Sequence, residues 1–230
     1  MTVAIVTARG GSKRIPGKNI RDFLGRPMMA YPIAAARDSG LFDHIIVSTD
    51  DDGIAEVARR LGAEVPFKRP AELSDDAATT DAVLLHAIGE CQARFGPTAA
   101  ACCLYPTSPF LTARELRRGL DLLRQHGATS AFPVVRYDFP LEHALTLVDG
   151  VRPRPRWPES IMKASQDLPE YVHDAGMFYW CDVAKFVQTP QLFGDDAVAF
   201  VVDADRCQDI NTEEDWRRAE MKYRLLAAAE

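Results

Sequence analysis

The sequence predicts an α/β fold of a single domain, a mainly parallel sheet covered by helices on both faces. Two observations carry that expectation. Short, almost wholly apolar runs at 2–8, 44–49, 99–105 and 130–135 alternate with segments of helical character at 28–39, 51–61, 79–94 and 116–125. Apolar strands that lack in–out alternation are buried on both faces, the condition of parallel strands joined by crossover helices. The 230 residues suffice for one sizeable core and fall short of two ordinary domains.

Each element has a local reason. The run 2–8 is short and leads into a basic loop, so it reads as a first strand and not as a signal peptide. The helix 28–39 ends at Gly40. The helix 51–61 has Asp50 or Asp51 as its cap and Gly62 as its stop. In 79–94, Val83, Leu84, Ala87, Ile88 and Cys91 fall at helical spacing. Thr112 and Glu115 form a capping-box signature ahead of 116–125. Between 136 and 169 the rhythm breaks. Asp149-Gly150 signals a hairpin, and Pro153 and Pro155 exclude a central strand. This stretch is expected to leave the sheet as an excursion. The chain then returns through a strand at 171–180 and closes with a helix from Thr212.

Composition narrows the function. The formal net charge of −6 makes a poor general nucleic-acid binder, since that affinity rests on Lys and Arg neutralising phosphates. No apolar run approaches membrane-spanning length. Five cysteines without CxxC spacing suit a reducing compartment, and Cys102 and Cys103 read as small core residues. A soluble, cytoplasmic protein is expected.

Ligands of such sheets bind beyond the carboxyl ends of the strands, which points to the loops after Ala8, Thr49 and Tyr105. The first loop, ARGGSKRIPGKN, places Gly10 and Gly11 among Arg9, Lys13, Arg14 and Lys18. Glycines let the backbone approach a ligand with its N–H groups, and the cations suit a polyphosphate. The loop matches neither Walker A nor GxGxxG. Lys18 is expected to be exposed. STDD (48–51) supplies carboxylates that serve either a ligand or a helix start. KRPAELSDDAATTD (68–81) carries Arg69, and its backbone amides with Thr79 and Thr80 either read a base or cap a helix. YPTSPF (105–110) is a stiff, hydroxyl-rich loop. HDAGMFYW (173–180) puts Gly176 inside a strand, a mark of close approach. In QDINTEEDW (208–216), Asp209 either holds magnesium with substrate phosphates or belongs to a capping loop, and Asn211 stands where a helix cap is expected.

Taken in order, these segments together with SQDLPE (165–170) resemble the CMP-sialic acid synthetase family along nearly the whole chain. The match is closest to its bacterial pseudaminic acid cytidylyltransferase branch, because Tyr105 stands where sialic acid synthetases usually have Gln and because of HDAG. The resemblance implies a Rossmann-like nucleotidyltransferase domain over 1–230. In it, 136–169 would be a dimerisation arm that brings Arg152, Arg154 and Arg156 near a partner's sugar site. It implies transfer of CMP from CTP to a nine-carbon 2-keto acid sugar, with magnesium as cofactor. Sialic, legionaminic and eight-carbon keto acids are the rival sugars, and a non-catalytic nucleotide-binding regulator is the rival class. By resemblance, Arg9, Lys18 and Asp209 are catalytic. Ala8, Arg9, Gly10, Gly11, Ser12, Lys13, Lys18, Asn19, Arg69, Ala78 and Thr80 bind CTP. Tyr105, Thr107, Ser108, Gln166 and Asp174 bind the sugar, and Asp209 holds the metal. Two positions depart from the family pattern: Asn211 replaces the second carboxylate of a DxD pair, and Ala164 replaces the Arg that often precedes SQD, with Lys163 beside it.

Overall fold

The computed structural model describes residues 1–229. The first strand, β1 (Thr2–Thr7), is followed by the basic loop and by a small hairpin, β2 (Asp22–Phe23) and β3 (Arg26–Pro27). Then come α1 (Ala30–Ser39), β4 (His44–Ser48), α2 (Asp52–Arg60), α3 (Thr80–Phe95), β5 (Ala100–Leu104), α4 (Ala113–His126) and β6 (Ser130–Arg136). The excursion contains β7 (Leu145–Val148) and β8 (Arg152–Pro155). The chain returns through β9 (Val172–Asp174), β10 (Phe178–Asp182), α5 (Val183–Gln188), β11 (Val198–Val201) and α6 (Glu213–Ala229).

The main sheet runs β11-β6-β10-β5-β1-β4, with β9 also paired to β6. β1 pairs parallel with β4 and β5, and β6 parallel with β11, so the sheet is mainly parallel. β10 runs antiparallel between β5 and β6. Alternation along β1 feeds two cores. Ala4 and Val6 join Tyr31, Ile54, Leu116 and Trp216 from α1, α2, α4 and α6. Val3 and Ile5 join Leu84, Ile88 and Phe186 from α3 and α5. Neighbouring Cys102 and Cys103 divide between these cores, and all five cysteines are free and buried. None of the helices among the described residues is long and apolar enough to cross a membrane.

The caps behave as the sequence implies. Asp51, not Asp50, caps α2 by accepting from the Ile54 N–H at 2.8 Å. Thr112 and Glu115 form a complete capping box, which starts α4 at Ala113, three residues before the expected onset. Other expectations need correction. The strand expected at 171–180 is two strands, broken where Gly176 takes φ +62°, a left-handed conformation that glycine adopts without strain. The hairpin β2–β3, the short α5 and the edge strand β11 were not expected.

The excursion forms its own two-stranded sheet. Its register sets Leu145 opposite Pro155, Thr146 opposite Arg154, Leu147 opposite Pro153 and Val148 opposite Arg152. Side chains alternate across a strand, so Leu145, Leu147, Pro153 and Pro155 share one face, and Arg152 and Arg154 share the other. Neither face is covered: Leu147 is 63% exposed on one, and the Arg152 side chain is 66% exposed on the other.

Candidate functional site

A cleft of ≈ 640 Å³ opens beyond the carboxyl ends of β1 and β5. The loop after β1 supplies Arg9, Ser12, Lys13, Arg14, Lys18 and Asn19. The connection from α2 to α3 supplies Arg69, Asp75, Asp76 and Ala78, and the start of α3 supplies Thr80. The loop after β5 supplies Tyr105 and Thr107, and the segment before α6 supplies Asp209 and Asn211.

The loop after β1 is held by side chains from distant segments. The Gly10 N–H donates to Asp50 Oδ1 at 3.0 Å, so Asp50 anchors the loop. The Asn19 side chain, itself buried, donates to the Arg9 carbonyl at 2.9 Å. The Lys18 ammonium donates to the Ile210 carbonyl at 2.7 Å, and Arg14 donates to Asn211 Oδ1 at 2.7 Å. Lys18 is half-buried, contrary to the expectation of exposure. Burial lowers its pKa below the ordinary lysine range; Asp209 opposes that shift, while Arg14 and Arg9 add to it.

On the facing wall, Arg9 donates to the Asp75 carbonyl at 2.6 Å and pairs with Asp76 at 2.8 Å. Lys13 pairs with the same carboxylate at 2.7 Å. Both cations hold the Asp76 carboxyl below its usual range through hydrogen bonds. Exposed pairs of this kind contribute little to stability. Arg69 lies beneath, 4% exposed, donating to the Ser48 hydroxyl and carbonyl. Burial pushes its pKa down to about 10, which still leaves it charged at neutral pH.

Asp209 accepts from the Asn211 amide. Asn211 is not the cap of α6. Thr212 takes that place, accepting from the Asp215 N–H at 3.2 Å while the Asp215 carboxylate accepts from the Thr212 N–H at 2.8 Å. The Asn211 side chain is therefore committed to Arg14 and Asp209. Among the described residues, His, Cys, Asp and Glu form no group of three or more that could hold a metal ion.

Arg9, Ser12, Lys13, Lys18, Asn19, Arg69, Ala78, Thr80, Tyr105, Thr107 and Asp209 all line the cleft. Other expected residues lie elsewhere. The Ala8 side chain is fully buried, and its N–H donates to Ser48. Ser108 is 3% exposed and donates to the Met177 carbonyl, so its hydroxyl faces inward. Gln166 is exposed on the excursion, and Asp174 stands behind Tyr179. The N–H groups of Ala77 and Ala78 are taken by Asp75 Oδ1 at 2.9 Å, which removes them as readers of a base. Thr79 caps α3, leaving Thr80 to face the cleft. Sequence reasoning missed Asp75 and Asp76. Their only signal was a pair of carboxylates in a polar loop, 66 and 63 residues from the cations they meet.

A mainly parallel sheet with a cationic cleft at its strand ends defines a nucleotide-handling α/β protein. Comparison with known proteins narrows the class. A family model described as cytidylyltransferase matches residues 3–152. The chain belongs to the cytidylyltransferase family. It is 36% identical to a pseudaminic acid cytidylyltransferase of Campylobacter jejuni, over 97% of this chain and 96% of the relative. It is 27% identical to a CMP-N,N'-diacetyllegionaminic acid synthase of Legionella pneumophila, again over 97% and 96%. The solved structure of a CMP:2-keto-3-deoxy-manno-octonic acid synthetase complexed with CTP shares the fold. Its TM-score is 0.70 at 16% identity, covering 100% of this chain and 99% of that one.

Proposed function

We propose that the protein transfers CMP from CTP to the anomeric hydroxyl of a nine-carbon 2-keto acid sugar, pseudaminic acid by preference. The sugar hydroxyl loses its proton to water as its oxygen bonds to the α-phosphorus, the bond from that phosphorus to the β-phosphate oxygen breaks, and pyrophosphate leaves. The observation that carries this reading is the half-buried Lys18, flanked by Arg9 and Arg14. Cations crowded in a partly desolvated cleft gain most when a polyphosphate enters. Catalysis of this kind rests on positioning and on preorganised charge. Arg9, Lys13 and Lys18 would hold the triphosphate. Asn19, Arg69 and Thr80 would surround the nucleoside, and Tyr105 and Thr107 would face the sugar. A magnesium ion held by Asp209 and phosphate oxygens would offset charge on the departing pyrophosphate.

The same reading includes a homodimer formed through the excursion. A two-stranded sheet is marginal in water unless something packs on it, and here Leu145 and Leu147 stand exposed on one face. A second copy of the chain is the proposed cover, and Gln166 would act from that arm. The cytoplasm is the proposed location, because five buried free thiols suit a reducing compartment.

The test is pyrophosphate release from CTP across a panel of acidic sugars. Preference for pseudaminic acid is expected. A higher kcat/KM for sialic acid overturns the sugar assignment, and inertness with every sugar overturns the reaction.

A further inference from the structure

The four cations that the loop after β1 sends into the cleft divide between two walls. Lys18 and Arg14 are drawn to the segment before α6, donating to the Ile210 carbonyl and to Asn211 Oδ1. Arg9 and Lys13 turn toward the connection between α2 and α3 and meet on one residue. Asp76 Oδ1 lies 2.8 Å from Arg9 Nη2, and Asp76 Oδ2 lies 2.7 Å from Lys13 Nζ. Each carboxylate oxygen thus takes one cation. Arg9 is drawn in further by the Asp75 carbonyl, to which its Nη1 donates at 2.6 Å.

The local sequence sets Asp76 in that place. Asp75 Oδ1 accepts from the N–H groups of Ala77 and Ala78 at 2.9 Å, a turn that an aspartate closes on its own backbone. Thr79 then caps α3, its hydroxyl accepting from the Ala82 N–H at 3.2 Å. The hydrogen bonds that shape this stretch come from Asp75 and Thr79, and they leave the Asp76 carboxylate to the cations.

A carboxylate that bridges two cations stands in for a phosphate group, with two charged oxygens where a phosphoryl group offers three. We infer that Asp76 is an internal competitor of the polyphosphate for Arg9 and Lys13: its charge offsets theirs when no anion is bound, weakens the hold on CTP, and takes the two cations back as pyrophosphate leaves. Only the identity of the polyphosphate rests on the proposed reaction. The rival role is that Asp76 holds the two side chains ready for the ligand, in which case its removal loosens binding. Charge favours competition. An anion arriving between Arg9 and Lys13 meets the Asp76 charge at close range, where like charges repel most. The order that Asp76 gives Lys13, whose side chain is 81% exposed, is that of a surface ion pair and is worth little.

The test is calorimetric binding of inorganic pyrophosphate to the full chain, without divalent metal and without sugar. Asp76→Asn keeps the shape and removes the charge, and Asp76→Ala removes both. Each is expected to bind pyrophosphate about fivefold tighter or more, the scale of one charge at contact range near a protein surface. Glu72→Gln is the control. It removes the same charge from the same connection, at an exposed position outside the cleft lining. It should change the affinity by less than about twofold, because salt screens separated surface charges. Unchanged or weaker binding in either Asp76 variant overturns the inference. Equal tightening in Glu72→Gln reduces the effect to net charge and overturns it too, as does a parent that binds no pyrophosphate at millimolar concentration. No sugar enters this assay, so its result is independent of whether the proposed reaction holds.

Discussion

The ammonium of Lys18 meets the backbone carbonyl of Ile210 at 2.7 Å, joining the loop after β1 to the segment before α6 across 192 residues of sequence. That contact brings Lys18 into the same end of the cleft as Asp209. Lys18→Ala is expected to lower kcat/KM on the order of a hundredfold or more, the usual cost of one preorganised charge contact in such chemistry. Folding should suffer much less, because losing one net hydrogen bond costs only about 0.5–1.5 kcal/mol. Kinetics and thermal melting of the variant check both halves, and full activity removes Lys18 from the triphosphate site.

Lys18 also sets a pH dependence. Burial holds its pKa below the ordinary lysine range, so the free enzyme loses this charge at a lower pH than an exposed lysine would. Activity that needs the charged form is therefore present below the shifted pKa and lost as pH rises through it. The alkaline limb of kcat/KM should begin below the lysine range and move upward in Lys18→Arg, because arginine stays protonated. An alkaline limb unmoved by that substitution assigns it to another group.

Gly10 and Gly11 look equivalent in the sequence, and the structure separates them. A Cβ on Gly10 would stand 2.9 Å from the Cβ of Asp51, the cap of α2, whereas one on Gly11 would meet nothing within 4 Å. Gly10→Ala is expected to destabilise by about 1–3 kcal/mol, the usual range for overpacking. Gly11→Ala should stay within about 0.5 kcal/mol, as open surface positions do. Denaturant unfolding of the pair measures the difference, and equal stabilities contradict the packing argument.

This contrast marks the limit of sequence reading. The buried strands were legible because β1, β4 and β5 are apolar runs too dense to be anything else. The helix starts at Thr79 and Thr112 were legible because capping is local chemistry. The edge strand β11 was not read, although it lies in the apolar run 197–202 between Asp196 and Asp203, and α5 is only six residues long. Within the site, the cations of the first loop were visible, but their partners were not. Asp76 meets Arg9 and Lys13, and Asn211 meets Arg14, only because the fold closes long loops. No spacing rule connects such residues. Ser108 shows the converse: a hydroxyl in a polar loop reads as a ligand contact until its inward bond to Met177 is seen.

The arm makes a prediction of its own. If its apolar face packs on a second copy, Leu145→Asp with Leu147→Asp should leave a folded monomer, because both side chains are exposed within one chain and support no core of their own. Light scattering at micromolar concentration should show a dimer for the parent and a monomer for the variant. A monomeric parent counts decisively against the arm as an interface.

Asp209 and Asn211 carry the last prediction. Asn211 is not occupied in capping α6; its oxygen accepts from Arg14 and its amide donates to Asp209. Asp209 lines the cleft beside Asn211, its carboxylate accepting from that amide. A magnesium ion that keeps several waters can rest on one carboxylate and the phosphates of CTP. Asp209→Asn removes the charge while keeping an oxygen that can still accept from Asn211, so stability should change little. Turnover should fall about a hundredfold or more, and half-saturation should shift to higher magnesium. Asn211→Asp replaces the amide donor with a second carboxylate, still within reach of Arg14. Without metal, two adjacent carboxylates repel; with metal, that repulsion becomes attraction, so half-saturation should shift to lower magnesium. Activity against magnesium concentration for both variants decides the matter. If Asp209→Asn follows the parent across the titration, the cation is held elsewhere in the cleft, and the assignment of Asp209 fails.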